Sequence, residues 1–165
     1  MERTERFVKE LENNDCEVHV VDRKSLKENL VNYIGKGSKV FYRPSALIKS
    51  LGLRDIFELT EDFHEGIYFG LSEADYGIVY SGGLVELANT REEKLPSLLP
   101  EVHVALLREE NIVEDFDDLF SRLQKPLPDI TFITGPSKTA DIEKILVRGA
   151  HGPRKLIVFI VANEY

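Results

Sequence analysis

Cysteine is almost absent from this chain, with Cys16 alone among 165 residues. A single thiol forms no internal disulfide and holds neither an iron–sulfur cluster nor a Cys-rich zinc site. Any redox chemistry must therefore pass its electrons to a partner or a bound organic cofactor. Opening a predicted strand, Cys16 reads as a small buried apolar residue rather than a nucleophile. Long apolar runs are also missing. The longest, Leu156–Ala162, falls far short of the roughly 20 residues that span a bilayer. The N-terminal stretch MERTERFVKELENN is charged throughout and has no apolar export segment. Together these features make a reducing cytoplasm the expected location, with no membrane span. Basic charge is in deficit: 21 Lys and Arg against 29 Asp and Glu leave −8. A sequence-independent nucleic-acid binder needs basic surface to displace counterions, so no nucleic acid is expected as a partner. What remains, 42% apolar and 30% charged, suffices for a core and for solubility. The length fits one domain, residues 1–165, and no repeat, low-complexity tract or Ser/Gly linker divides it.

Helix and strand signals alternate along the chain. Phe7, Val8 and Leu11 share one side of an opening helix that stops at Asn13–Asn14–Asp15. Glu17–Val21 and Lys39–Tyr42 read as short strands. Helices are predicted at Ser25–Ile34, closed by Gly35 and Gly37, and at Ser45–Leu51, opened by Pro44 and stopped by Gly52. Segment 53–73 is the least legible, with a possible strand at Ile56–Leu59. Tyr76–Tyr80 and Leu84–Leu87 flank Ser81–Gly82–Gly83 and predict a hairpin. After a polar turn at Thr90–Leu95, Val102–Leu107 is a strand. Val113, Phe116, Leu119, Phe120 and Leu123 recur at helical spacing until Pro126 and Pro128. Asp129–Thr134 is a strand and Ala140–Val147 a helix. Leu156–Ala162 is a final strand whose unbroken apolar run implies cover on both faces. The expected class is α/β, a mostly parallel sheet flanked by helices with a β-hairpin insertion.

The richest chemistry lies at Thr134–Gly135–Pro136–Ser137–Lys138–Thr139–Ala140–Asp141. An apolar strand leads into a helix there, and the carboxyl end of a strand feeding a helix N-terminus is where open α/β sheets hold ligands. Free amides and the helix dipole favour an anion, Lys138 adds a positive charge, and Ser137 and Thr139 add hydroxyls. A small carboxylate or phosphate site at Gly135, Ser137, Lys138, Thr139 and Asp141 is one reading. An ordinary capped helix start, with Ser137 or Thr139 as the cap and Asp141 in the first turn, is the other. The spacing is not that of a Walker loop. His151, in Gly149–Ala150–His151–Gly152–Pro153, is either a proton carrier or anion donor, or a turn residue. Right-handed βαβ geometry would put it at the far end of the helix from Lys138, so a contact between subunits of a homo-oligomer would be needed to unite them. Ser81 and Gly82 either let a ligand approach the backbone or simply make the turn. His19, His64, His103 and His151 lack H-x-x-x-H or H-x-H spacing, so no metal site is expected. His103 lies in a strand and reads as a hydrogen-bonded packing residue. The acidic run from Glu109 to Asp118 reads as a solvated helix start.

The segment ITGPSKTADIEKILVRGAHGPRKLIVFIV resembles the closing signature of the LUD domain, in particular the lactate utilization protein C type. Leu98–Leu99–Pro100–Glu101–Val102–His103–Val104 is similar to a second family block, and Glu73–Ala74–Asp75–Tyr76–Gly77–Ile78 to the stretch before the family's glycine turn. The resemblance implies a fold similar to the sugar-phosphate isomerase and CoA-transferase-like fold. It also implies work in the oxidation of L-lactate to pyruvate alongside two iron–sulfur proteins, which would carry the clusters that this chain does not hold. One position departs: where the family turn reads E-T-G-T-L, this chain has Tyr80–Ser81–Gly82–Gly83–Leu84. A phenol is a poor substitute for a carboxylate nucleophile at neutral pH, which argues against acyl-CoA chemistry there. Three readings follow: a subunit of a lactate-oxidation system, a non-catalytic assembly or regulatory module, and a stand-alone enzyme on sugar phosphates or CoA esters.

Overall fold

A computed structural model describes residues 2–137 and 152–163. The helices α1 (Glu2–Asn13), α2 (Leu26–Ile34) and α3 (Ala46–Ser50) alternate with strands β1 (Glu17–Val21), β2 (Lys39–Tyr42) and β3 (Glu58–Thr60). Strands β4 (Phe69–Glu73), β5 (Tyr76–Ile78), β6 (Gly83–Ala88), β7 (Val102–Arg108) and β8 (Ile112–Val113) lead to helix α4 (Phe116–Arg122). Strands β9 (Asp129–Ile133) and β10 (Lys155–Val161) follow. Six strands form an all-parallel sheet in the order β1-β10-β7-β4-β2-β3. The predicted hairpin is part of a second, four-stranded sheet, β8-β5-β6-β9.

Both faces of the parallel sheet are covered, as the unbroken apolar run of β10 implied. Ile157, Phe159 and Val161 on β10, with Val104 and Leu106 on β7, meet Leu26, Leu30 and Ile34 of α2 and Leu47 and Ile48 of α3. The alternate residues Leu156, Val158 and Ile160, with Ala105 and Leu107, meet Phe7 and Leu11 of α1 and Leu84 and Ile112 of the small sheet. The outer face of the small sheet is closed by Leu119 of α4 against Ile78, Val85 and Val113. A fully buried leucine or phenylalanine contributes about 2–3 kcal/mol, so this two-sided burial around β10 and β7 is the main stabilising term.

Four local differences from the sequence reading have physical reasons. Strand β4 is central, yet Gly70 and Ser72 take one of its faces and leave no apolar alternation to detect. Where a strand was expected at Ile56–Leu59, Leu53–Asp55 is a 3-10 turn and β3 begins later, at Glu58. Val113 pairs in β8 beside Ile78, and the helix begins only after Asp115, whose carboxylate caps it by accepting the Asp118 N–H. The fourth difference bears on the site. Strand β9 does not join the parallel sheet; it runs antiparallel to β6, with Ile133 opposite Leu84. Helix Ala140–Val147 lies outside the described residues.

Candidate functional site

The glycine turn between β5 and β6 is built against the end of α1. Gly82 has φ +64°, and its N–H donates to the Ile78 and Val79 carbonyls at 2.9 and 3.2 Å. The Asn14 side-chain amide donates to the Ser81 and Gly82 carbonyls at 2.9 and 3.0 Å. Gly135 follows β9 with φ +88°, and a Cβ there would stand 2.3 Å from the Asn14 carbonyl oxygen. A side chain at either glycine would meet a left-handed backbone and α1 at once. Gly83 in turn lies against the Ile133 carbonyl and the Thr134 hydroxyl. Ser81, Gly82 and Gly135 are therefore brought together around Asn14.

Ser137 extends the cluster. Its N–H donates to the Pro153 carbonyl at 2.8 Å, and a Cβ at Gly152 would stand 3.6 Å from the Ser137 Cβ. Arg154 N–H then donates to the Glu101 carbonyl at 2.9 Å. Ser137 and Pro153, which flank the two motifs, touch within one chain, while the predicted helix between them lies outside the described residues. Lys138, Thr139, Asp141 and His151 lie outside the described residues. Of the residues predicted to bind a ligand, the structure thus unites Ser81, Gly82, Gly135 and Ser137.

The cluster sits at the other edge of the parallel sheet from the one expected. Asn14 precedes β1, Pro153 precedes β10 and Glu101 precedes β7, so these residues mark the amino edge. The carboxyl-end argument assumed that Asp129–Ile133 was a parallel strand, and its antiparallel pairing with β6 removes that premise. The amides of Gly82 and Ser137 already donate to carbonyls. Tyr80, in the position of the family's carboxylate, is 77% exposed and tilted edge-on toward Phe116.

A buried polar group ties the two sheets together behind the turn. Glu86 of β6 accepts from the Ser72 hydroxyl of β4 at 2.6 Å and from the Ser97 hydroxyl. His103 of β7 lies 2.7 Å from Ser72 through Nε2 and 3.9 Å from Glu86. All four side chains are buried. Burial pushes the His103 imidazole below its ordinary pKa, against the opposing pull of Glu86. His103 is the hydrogen-bonded packing residue its strand position implied, and its Nδ1 has no hydrogen-bond partner among the described residues. Glu86 was not singled out from the sequence; the available signal was a lone carboxylate inside the apolar stretch Leu84–Ala88. Arg23 and Arg108 were also passed over, although each lies at the carboxyl end of a predicted strand. Among the described residues no group of three His, Cys, Asp or Glu is placed to hold a metal ion, and no helix is long and apolar enough to cross a membrane.

Known proteins resemble this chain in sequence and in fold. The chain is 37% identical over 101 residues to YkgG of Escherichia coli strain K12, covering 57% of this chain and 44% of that protein. It is 30% identical over 179 residues to lactate utilization protein C 1 of Bacillus mycoides, covering 90% of this chain and 76% of that protein. The chain spans about half the length of most of the curated relatives it matches. A crystal structure of a DUF162 family protein from Deinococcus radiodurans superposes with a TM-score of 0.69 at 18% identity, covering 97% of this chain and 96% of that one, and shares the fold. The LUD domain family model matches residues 58–161, which run from β3 to the end of β10 and include the glycine turn and the buried His103, and the chain belongs to the LUD domain family.

Proposed function

We propose that this chain serves in lactate utilization, binding a small carboxylate at the cluster of Ser81, Gly82, Gly135 and Ser137, with Lys138, Thr139, Asp141 and His151 completing the set. The observation that supports the reading is a run of contacts joining three segments far apart in sequence: 81–83 meets 133–135 beside Asn14, and Ser137 meets 152–153. The names of the relatives from Bacillus mycoides and Anoxybacillus flavithermus, lactate utilization protein C, supply the substrate class. Because Gly82 and Ser137 N–H groups are already engaged, hydroxyl donors and the Lys138 ammonium carry the binding of the anion.

Oxidising lactate to pyruvate removes two electrons and two protons from the substrate. A chain with one cysteine holds no iron–sulfur cluster, and in this proposal the electrons pass to the iron–sulfur partner proteins that the family resemblance implies. A reducing cytoplasm belongs to the same proposal. The test is lactate-dependent electron transfer by this chain mixed with such partners. We expect it to fall tenfold or more in Lys138→Ala with folding intact; equal rates with and without the chain would refute the role.

A second reading rests on Tyr80 and on the engaged amides: a non-catalytic assembly or regulatory module of the same system. Binding to the partners with no heat of L-lactate binding on calorimetric titration would select it. The third, a stand-alone enzyme on sugar phosphates or CoA esters, would require turnover by the isolated chain.

A further inference from the structure

The carboxyl edge of the parallel sheet carries a cleft whose polar lining lies outside the family motifs quoted above. Val21, Val161 and Arg108 are aligned across β1, β10 and β7 by strand register. Arg23 lies two residues beyond Val21. Helix α3, which follows the carboxyl end of β2, contributes Ser50, and Asn163 follows β10. The cleft encloses about 580 Å³, within the range of small-molecule sites. Strands two apart in a sheet stand about 10 Å apart, so the two arginines flank the cleft from opposite sides.

The two guanidiniums are held differently. Arg23 donates from Nη2 to the Ser50 hydroxyl at 2.5 Å and meets no carboxylate within ion-pair distance among the described residues. Arg108 donates from Nε to Glu73 at 3.0 Å, and the Glu73 side chain is only 16% exposed. That contact fixes the guanidinium plane and leaves its terminal nitrogens for a ligand. A planar fork held this way suits bidentate recognition of an oxyanion. Glu73 offsets Arg108, which leaves Arg23 as the cation of the lining with no carboxylate partner among the described residues. Glu110 lines the same cleft and offers only an acceptor.

We propose that this cleft is a second binding site, separate from the glycine-turn cluster, for a small hydroxyl-bearing oxyanion. Arg23 and Arg108 hold the phosphoryl or carboxylate group, and Glu110 accepts from the hydroxyl. The carboxyl ends of parallel strands are the general place for such a crevice, which agrees with this location.

The test is isothermal titration of the full chain with inorganic phosphate, glycerol 3-phosphate and L-lactate, compared with Arg23→Gln, Arg23→Lys, Glu110→Gln and Ser137→Ala. The phosphate and lactate arms separate phosphoryl from carboxylate preference. At least one hydroxyl-bearing probe should bind, with affinity lowered tenfold or more in Arg23→Gln and partly restored in Arg23→Lys. Glu110→Gln should weaken the hydroxyl-bearing probe and leave inorganic phosphate unchanged. Ser137→Ala removes the share of L-lactate binding that belongs to the glycine-turn cluster, so the phosphate and glycerol 3-phosphate arms report on the cleft. Arg23 is half-exposed at the sheet edge, so its variants keep the fold, and unchanged melting temperatures check this. Failure of every probe to bind overturns the proposal. So does phosphate or glycerol 3-phosphate binding that survives Arg23→Gln. If binding is lost in Ser137→Ala and kept in Arg23→Gln, the turn cluster is the anion site and the cleft is not.

Discussion

The two edges of the parallel sheet are built by different rules. At the amino edge, backbone meets backbone: Gly82 and Gly135 lie against the end of α1, Asn14 bridges two carbonyls, and Ser137 is tied to Pro153. At the carboxyl edge, side chains project into an open cleft from three strand ends and a short helix. At Gly82 and Gly135 the first edge leaves no room for a Cβ, whereas the second is open. A region built from close backbone approach writes itself into the sequence as glycine motifs, whereas one built from strand register leaves only scattered single residues. A motif therefore marks where packing is tight, and whether chemistry occurs there is a separate question.

The sharpest way to break this contrast is Gly135→Ala. The new Cβ would stand 2.3 Å from the Asn14 carbonyl at φ +88°. Left-handed strain costs about 1–3 kcal/mol and overpacking a similar amount, so a loss of about 4 kcal/mol is expected in denaturant unfolding. A loss under 1 kcal/mol would show that the amino edge yields easily. Next comes Glu86→Ala, which removes the acceptor for Ser72 and Ser97 where the sheets join. Buried hydroxyls left without partners make a cost of about 3 kcal/mol the expected result. A near-neutral outcome would mean that the sheets are held by apolar contact alone.

How much of this was legible follows the same division. Glu17–Val21 and Lys39–Tyr42 were read to the residue, because short β-rich runs bounded by turn residues are local signals. The last strand was read as doubly covered because seven apolar residues in a row have no other soluble use. Strand β4 escaped because Gly70 and Ser72 serve a close approach and a polar network instead of an apolar face. Strand β9 was found but assigned to the wrong sheet, since strand, turn and helix follow in the same order whichever sheet the strand joins. The glycine cluster was legible in parts and its convergence was not. The cleft was illegible because Arg23 and Arg108 meet only through a register spanning three strands.

The pH dependence sharpens the comparison at the junction of the sheets. Burial lowers the His103 pKa in the folded state, so the unfolded chain binds the proton more readily. Its stabilising share is complete above the unfolded value of about 6.5 and is lost as pH falls below it, at up to about 1.4 kcal/mol per pH unit. Asp75, whose pKa burial raises, contributes with the opposite sign. Glu109, lowered by its hydrogen bond from Thr4, weakens the fold only in the acid range where carboxylates protonate. Unfolding curves at pH 7.5 and 5.5, compared between the natural chain and His103→Gln, isolate the histidine. The natural chain should lose more stability on acidification than the variant, and parallel losses would show that His103 does not carry the effect.

The smallest expected effect belongs to Arg23→Gln. The Arg23 side chain gives one hydrogen bond to an exposed serine and, among the described residues, supports no carboxylate. Surface changes of this kind shift stability by about 0.5 kcal/mol or less. A residue whose removal costs the fold so little, and which nonetheless holds a positive charge at the mouth of a cleft, has no packing reason to be an arginine. Denaturant midpoints within error of the natural chain are the expected outcome. A large loss would mean that Arg23 braces α3 against the sheet, and the carboxyl edge would then follow the same rule of packing as the amino edge.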